Sequence, residues 1–244
     1  MINTNRLIQV LKSNVSDFHS IVSFDKKKDK IVAVDLSKTN TGFTEEIYAD
    51  DKKFDAYINQ KRKDAGATYL IGGYKEERQM YRRSSLFDKN IAEPVSSTEE
   101  PRSLHLGTDI WGDAGTKIFA AFGGMVHSYA YNNNLGDYGA TIIMQHQLET
   151  VNFYVLYGHL ALKNLENLRK GKYITRGECF ASFGNYEENG NWPPHLHLQL
   201  IADIGMYEGD YPGVCKMSEA EKYLHNCPDP DLILQLNRFI TPSL

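Results

Sequence analysis

The run His195-Leu196-His197-Leu198-Gln199-Leu200 alternates polar and apolar residues without a break. Side chains in a β-strand point alternately to opposite faces, so this period of two places His195, His197 and Gln199 on one face and the three leucines on the other. The leucine face predicts contact with a hydrophobic core. The other face offers two imidazoles to a metal ion, and Gln199 is expected either beside that metal or in solvent.

Two further short motifs combine histidine with glycine. In His105-Leu106-Gly107-Thr108-Asp109, a glycine-containing bend separates a histidine from an aspartate. Tyr157-Gly158-His159-Leu160 ends a stretch of aromatic and β-branched residues that predicts a strand. Catalytic zinc takes three nitrogen or oxygen ligands from the protein and leaves one position for water. Four histidines and one aspartate exceed that need, so two histidines are left for acid–base chemistry.

The part of the chain around these motifs has the composition of a β domain. Beyond residue 102, short apolar runs such as Thr141-Ile142-Ile143-Met144 and Phe153-Tyr154-Val155-Leu156-Tyr157 alternate with glycines. Many short strands separated by glycine turns are typical of an antiparallel β-sandwich or barrel.

The first hundred residues have a different pattern. Apolar residues at helical spacing predict helices over 6–22 and about 45–62, and short strands are expected at 31–35 and 67–71. A stretch rich in Pro, Ser and Glu, about 89–102, is the best linker candidate.

We therefore expect an α+β protein in three parts. Residues 1–100 form a small mixed α/β region, residues 103–203 form the antiparallel β domain, and residues 204–244 form a short helical extension.

The order of the motifs is more specific than any one of them. His-x-Gly-x-Asp, then Tyr-x-His-Leu, then His-Leu-His, spread over residues 103–203, resembles the lysostaphin, LytM and beta-lytic class of zinc metallopeptidases. The resemblance implies a small antiparallel β fold with the metal at the floor of an open groove. It also implies hydrolysis of peptide bonds, usually in bacterial peptidoglycan, so the expected partner is a peptide substrate.

The resemblance also assigns roles to individual residues. It implies that His105, Asp109 and His197 bind Zn²⁺. It implies that His195 and His159 activate the attacking water and stabilise the tetrahedral intermediate.

The approach to the His-Leu-His strand departs from the family pattern. Instead of Gly-x-Thr/Ser-Gly-x-x-Thr-Gly-Pro, the chain has Asn189-Gly190-Asn191-Trp192-Pro193-Pro194, in which Trp192 is expected to fix the start of the strand. This motif resembles that of a branch of the family found beside or fused to class III aminotransferase and kinase-like domains. Proteins of that branch have no obvious export signal. Both features argue against a cell-wall substrate.

Composition excludes several other classes. The 244 residues include 27 Lys+Arg and 31 Asp+Glu, a net charge of −4, which argues against a nucleic-acid partner. No apolar run approaches the roughly 20 residues that cross a bilayer, and no signal peptide is visible. The sequence as written therefore predicts a cytoplasmic protein without a membrane partner, or a periplasmic or secreted one if a leader was removed. Cys179, Cys215 and Cys227 are expected to be idle thiols.

Two other functions remain open. The first is a catalytically silent module of the same fold that binds a peptide or partner protein, although all five key positions are present. The second is an Fe(II) oxygenase with two histidines and one carboxylate, which the Tyr-Gly-His-Leu motif fits poorly.

The segment 74–83, just before the linker, is dense in hydrogen-bond donors. It is either a charged surface face or a segment across the groove in which Arg78 or Tyr81 holds a substrate carboxylate or carbonyl. Proteins of the resembled class can carry N-terminal segments that mask the metal, so residues 1–100 could regulate access to the groove.

Overall fold

The computed structural model describes residues 4–84, 86 and 100–241, which contain thirteen strands and five α-helices. The strands are β1 (Ile31–Ala33), β2 (Tyr69–Gly72), β3 (Leu104–His105), β4 (Thr108–Trp111), β5 (Lys117–Phe119), β6 (Gly124–Asn132), β7 (Gly139–Leu148), β8 (Val151–Leu160), β9 (Tyr173–Ile174), β10 (Cys179–Ser182), β11 (His195–Ile201), β12 (Val214–Cys215) and β13 (Ile240–Thr241). The helices are α1 (Thr4–Ser13), α2 (Glu45–Tyr48), α3 (Asp51–Asp64), α4 (Ala220–Asn226) and α5 (Asp231–Leu234).

A nine-stranded sheet organises the described part of the chain, in the order β13-β1-β2-β4-β11-β8-β7-β6-β9. Neighbouring strands from β2 to β9 are antiparallel, whereas β13, β1 and β2 run parallel. Two small antiparallel pairs, β5 with β10 and β3 with β12, form separate sheets. The predicted α+β class with an antiparallel core is confirmed. The strands expected at 31–35 and 67–71 are present as β1 and β2, whereas β13 and the parallel pairing of the three strands were not predicted.

The centre of the large sheet is buried on both faces. Every residue of β11 is buried, and its three leucines are 0% exposed within the main hydrophobic core, which also includes side chains from β7 and β8. The opposite face of β11 carries two histidines and a glutamine, which are buried as well. Because buried polar groups need hydrogen-bond partners, this polar face is held by hydrogen bonds within the protein and is not a solvated surface.

The N-terminal region extends the same sheet. Strand β2 pairs with β1 on one side and with β4 on the other, where Gly72 lies opposite Asp109. The sheet therefore passes without a break from the first third of the chain into the strand that carries one of the predicted metal ligands.

The predicted division into residues 1–100, 103–203 and 204–244 stays a prediction. Of the predicted linker at 89–102, residues 89–99 lie outside the described residues. The C-terminal tail also joins the sheet, because Ile240 of β13 pairs with Ile31 of β1.

The predicted helix at 6–22 is shorter than expected. Helix α1 ends at Ser13, whose Oγ bonds to the carbonyl of Gln9 at 3.0 Å, and Asn14 Nδ2 donates to the carbonyl of Val10 at 2.9 Å. Such local side-chain bonds compete with continuation of the helix. No helix of the described residues combines the length and apolar character needed to cross a membrane.

The predicted helix at about 45–62 is two helices, α2 and α3. The carboxylate of Asp50 accepts hydrogen bonds from the backbone N–H groups of Lys52 and Lys53, at 2.9 and 3.0 Å. This N-cap starts a new helix inside the predicted one.

Candidate metal centre

Two paired strands and the bend before them bring His105, Asp109 and His197 together. His105 ends β3, Asp109 lies in β4, and His197 lies directly opposite Asp109 in the β4–β11 pair. Between the first two, Gly107 approaches the site so closely that a Cβ there would lie 2.5 Å from Cε1 of His197. Only glycine allows this approach, which explains the central residue of the His-x-Gly-x-Asp motif.

The three candidate ligand atoms are close enough to bind one ion. Nε2 of His105 lies 2.9 Å from Nδ1 of His197 and 3.4 Å from Oδ1 of Asp109, and Nδ1 of His197 lies 3.1 Å from the same oxygen. Tetrahedral zinc, with ligand bonds of about 2.0–2.1 Å, separates its ligand atoms by about 3.3 Å. Each of the three residues is only 2% exposed. Donor types and spacing therefore fit Zn²⁺.

The outer nitrogen of each candidate histidine ligand has its own acceptor. Nδ1 of His105 lies 2.9 Å from the carbonyl oxygen of Gly73, and Nε2 of His197 lies 3.0 Å from Oε1 of Gln199. Because these oxygens only accept, the outer nitrogens carry the hydrogen and the inner nitrogens present lone pairs, as metal ligands must. Gln199 thus lies beside the site, where it contacts His197 and not the metal position, and it is buried.

Asp109 also has a second contact. Nη1 of Arg78 donates to Oδ2 of Asp109 at 2.6 Å, and Arg78 is only 1% exposed. Neither interpretation of the segment 74–83 describes Arg78. Its side chain is buried, so it is not part of a charged surface face, and its guanidinium holds a carboxylate of the protein and not one of a substrate. Tyr81 does line the cavity described below.

His195 and His159 lie beside the three candidate ligands. Nδ1 of His195 lies 2.7 Å from the carbonyl oxygen of Pro193, and Nδ1 of His159 lies 2.8 Å from that of Asn189. By the same reasoning Nε2 of each ring is left as an acceptor. The two ring centroids are 4.1 Å apart, and Nε2 of His195 lies 4.0 Å from Oδ1 of Asp109.

Burial keeps three histidines of the site, His105, His159 and His195, neutral. Burial, reinforced by Arg78, lowers the pKa of His105 to about 4, and burial lowers the pKa of His195 to about 4. Burial and the adjacent His195 put the pKa of His159 well below its usual range. Burial alone would raise the pKa of Asp109, but His105 and Arg78 hold it well below its usual value. At neutral pH the site therefore offers the carboxylate of Asp109 and the neutral imidazole of His105, the forms that bind metal.

A cavity of about 290 Å³ opens onto these residues. Its walls include the rings of Trp111, Tyr138 and Trp192 and the carboxylates of Asp137 and Asp210, and burial raises the pKa of both aspartates. Trp192 both fixes the approach to β11 and lines the cavity. The side chain of Asn189 bonds to the backbone N–H and carbonyl of Trp192, and its indole ring forms part of the cavity wall.

The four histidines outside the motifs, His19, His127, His146 and His225, are not among the described residues that line the cavity. His146 is buried between two phenylalanine rings, and its Nδ1 bonds to the carbonyl of Gly123 at 3.0 Å. The three cysteines of the chain are free, and Cys215 and Cys227 are buried.

Two contributors to the site, Gly73 and Asn189, carry no sequence signal because they act through backbone carbonyls. Arg78 had a partial signal, since the density of donors in the segment 74–83 marks the segment without identifying the partner.

Comparison with known proteins gives one family match. Residues 103–207 match the model of peptidase family M23. This match confirms, for that part of the chain, the resemblance to the lysostaphin class and supports Zn²⁺ as its metal. The association with class III aminotransferases stays a prediction. No curated protein matches the chain.

Several solved structures are similar to the chain. A zinc-containing peptidase from Vibrio cholerae is 23% identical, covers 46% of this chain and 31% of its own, and has a TM-score of 0.33. The catalytic domain of the antimicrobial peptidase lysostaphin from Staphylococcus simulans is 18% identical over 69% of this chain and 97% of its own, with a TM-score of 0.37. Csd3 from Helicobacter pylori is 22% identical over 56% of this chain and 37% of its own, with a TM-score of 0.32. The chain thus spans about a third of the Vibrio and Helicobacter chains.

Proposed function

Residues 103–207 match peptidase family M23, and on this premise we propose that the protein is a zinc-dependent hydrolase of peptide bonds. The observation that carries the proposal is the group of His105, Asp109 and His197, whose ligand atoms lie 2.9, 3.1 and 3.4 Å apart. The presence of His159 and His195 beside this group supports an enzyme over a catalytically silent binding module.

The protein's own residues perform the proton transfers. Zn²⁺, when bound, would polarise the scissile carbonyl and lower the pKa of the attacking water. His195 accepts the water proton at Nε2, since its Nδ1 is engaged by Pro193, and returns that proton to the leaving amine.

His159 and His195 act as a pair. Two positively charged rings with centroids 4.1 Å apart would repel each other, so the pair holds one proton at a time. The ring that holds the proton becomes a donor at Nε2. It then stabilises the oxygen that gains negative charge in the transition state.

The substrate is a peptide, either a peptidoglycan cross-link or a related peptide. The cavity of about 290 Å³ is at the small end of the range of ligand sites, which is about 300–1,000 Å³. It therefore accommodates a short segment of chain around the scissile bond.

Metal analysis and a hydrolysis screen test this function together. We expect about one zinc per chain and chelator-sensitive hydrolysis of peptidoglycan fragments or of short cytosolic peptides. His105→Gln and Asp109→Asn should lose zinc, and His195→Gln should keep zinc and lose turnover. The exposed His225 provides the control, since His225→Gln should change neither property.

Each alternative has its own outcome. Bound zinc without hydrolysis of any peptide would support the binding module, and bound iron would support the oxygenase. Loss of zinc from His195→Gln with retention in His105→Gln would contradict the assigned roles.

A further inference from the structure

We propose that residues 73–78 of the N-terminal region are part of the metal centre, with Arg78 as the positioning residue that makes Asp109 a ligand through one oxygen. The inference rests on the metal site proposed above at His105, Asp109 and His197. It extends that site into a segment that lies outside the family match at 103–207.

The guanidinium of Arg78 is tethered on one side and holds the ligand on the other. Its Nε donates to Oε2 of Glu76 at 2.5 Å, and its Nη1 donates to Oδ2 of Asp109 at 2.6 Å. The hydroxyl of Tyr81 lies 3.3 Å from the same Nη1. The other carboxylate oxygen of Glu76 accepts from the backbone N–H of Leu36 at 3.0 Å, so the tether is itself fixed.

This arrangement divides the two oxygens of Asp109 between two tasks. Oδ2 is occupied by Arg78, and Oδ1 is the oxygen that lies 3.4 Å from Nε2 of His105 and 3.1 Å from Nδ1 of His197. The side chain of Arg78 is 0% exposed and that of Asp109 is 2% exposed, so water does not replace the contact. The planar fork of arginine fixes the plane of the carboxylate as well as its position.

Gly73 connects the same segment to a second ligand. Its carbonyl orients His105, and its φ of +102° is a conformation that favours glycine. A Cβ at this position would lie 2.0 Å from Nη2 of Arg78 and 2.8 Å from Nδ1 of His105. One tight bend therefore positions two of the three ligands, one by its carbonyl and one by Arg78.

Metal affinity and Co²⁺ absorption test the role of Arg78. Arg78→Gln removes the charge and Arg78→Lys keeps it without the fork. We expect both variants to bind Zn²⁺ and Co²⁺ 10–100-fold more weakly, the usual effect of losing a partner behind a metal ligand, with the smaller loss for lysine. The visible Co²⁺ spectrum should also change, because Asp109 is no longer held to one oxygen.

Glu76→Gln is the milder variant if the Arg78 variants do not fold. The substitution changes only the side chain, which bonds to Arg78 and to the backbone N–H of Leu36, and it keeps the backbone carbonyl of Glu76 that accepts from the N–H of His105. It should weaken metal binding by a smaller factor than the Arg78 variants do. The matched control is Lys38→Gln, which breaks the partly exposed 2.6 Å ion pair of Lys38 with Glu77 in the same segment. Its metal affinity should equal that of the unmodified chain.

The outcomes separate this inference from the proposed function. If the unmodified chain binds neither Zn²⁺ nor Co²⁺, both fail. If it binds them and the Arg78 and Glu76 variants bind equally well or more tightly with an unchanged Co²⁺ spectrum, the inference alone is overturned. A lower melting temperature with unchanged affinity has the same meaning, because a purely structural arginine would behave in that way.

Discussion

Gly72 of β2 lies directly opposite Asp109 of β4, so the strand that carries a candidate metal ligand is bonded to the N-terminal region on one side and to β11 on the other. The N-terminal region is therefore a neighbour of the site within the sheet.

A shortened chain that begins at Ser103 tests this relationship. It would lose β1 and β2 and expose one edge of β4, including Trp111, which is 1% exposed in the full chain. Because an unpaired, apolar strand edge favours aggregation, we expect little soluble protein and no stoichiometric zinc. Soluble yield, circular dichroism and zinc content provide the measurement. A folded shortened chain with one bound zinc would contradict the expectation.

Gln199→Leu should weaken metal binding by acting on His197. The substitution removes the acceptor 3.0 Å from Nε2 of His197 and leaves a buried N–H without it. We expect a 10–100-fold loss of zinc affinity and a loss of about 1–3 kcal/mol in the free energy of unfolding. Competition titration and chemical denaturation measure the two effects. Gln147 lies exposed on β7, so Gln147→Leu serves as control and should change stability by less than about 0.5 kcal/mol.

His159→Gln and His195→Gln should not have additive effects on turnover. If the two rings hold one proton between them, each substitution disables the pair, so each should lower kcat by about 10²–10⁴-fold. The double variant should be little worse than the more damaging single one, as for residues that act as a unit. Zinc content should stay near one per chain in all three. Additive losses would show that the rings act independently.

Stability should fall with acidity partly because of His146, which lies away from the cavity. Burial lowers the pKa of His146 from 6.5 to about 4, so the folded state favours the neutral ring. The stabilisation it provides is complete above pH 6.5, and it is lost as the pH falls towards about 4. Within this window one such histidine contributes up to about 1.4 kcal/mol per pH unit.

His146→Gln should remove that share of the slope. Denaturation of metal-free protein at several pH values between 4 and 7.5 measures the slope directly. The exposed His225 is again the control, because His225→Gln should leave the pH profile unchanged. An unaltered slope in His146→Gln would contradict the expectation.

Much of the centre of the fold could be predicted because the residue pattern of β11 is typical of a strand. Strict alternation over His195–Leu200 implies a strand with two different faces. Runs of β-branched and aromatic residues mark β8, its neighbour in the sheet, and β7 beyond it. Strands β1 and β2 were predicted at 31–35 and 67–71. Strand β13 and the parallel pairing of these three strands could not be predicted, since pairing between distant short strands leaves no local pattern. The early end of α1 was missed because helical spacing continues beyond Ser13 while Asn14 bonds back to the preceding turn.

The candidate site divides in the same way. The five residues His105, Asp109, His159, His195 and His197 were found because short motifs with fixed spacing carry them, and the structure brings all five together. Their roles as ligands and as acid–base groups stay proposals. Contacts made by backbone carbonyls, and the bond between Arg78 and Asp109, depend on how distant segments pack, which spacing along the chain does not encode.

Side chains of the first hundred residues, among them Phe54 and Met80, form part of the cavity wall, while the five motif residues lie farther along the chain. The size and shape of the recess are thus set partly by residues that take no part in bond cleavage. If the proposed hydrolysis holds, exchanging them offers a route to new substrate preference that leaves the reaction chemistry intact, so selectivity can diverge independently of the residues proposed to cleave the bond.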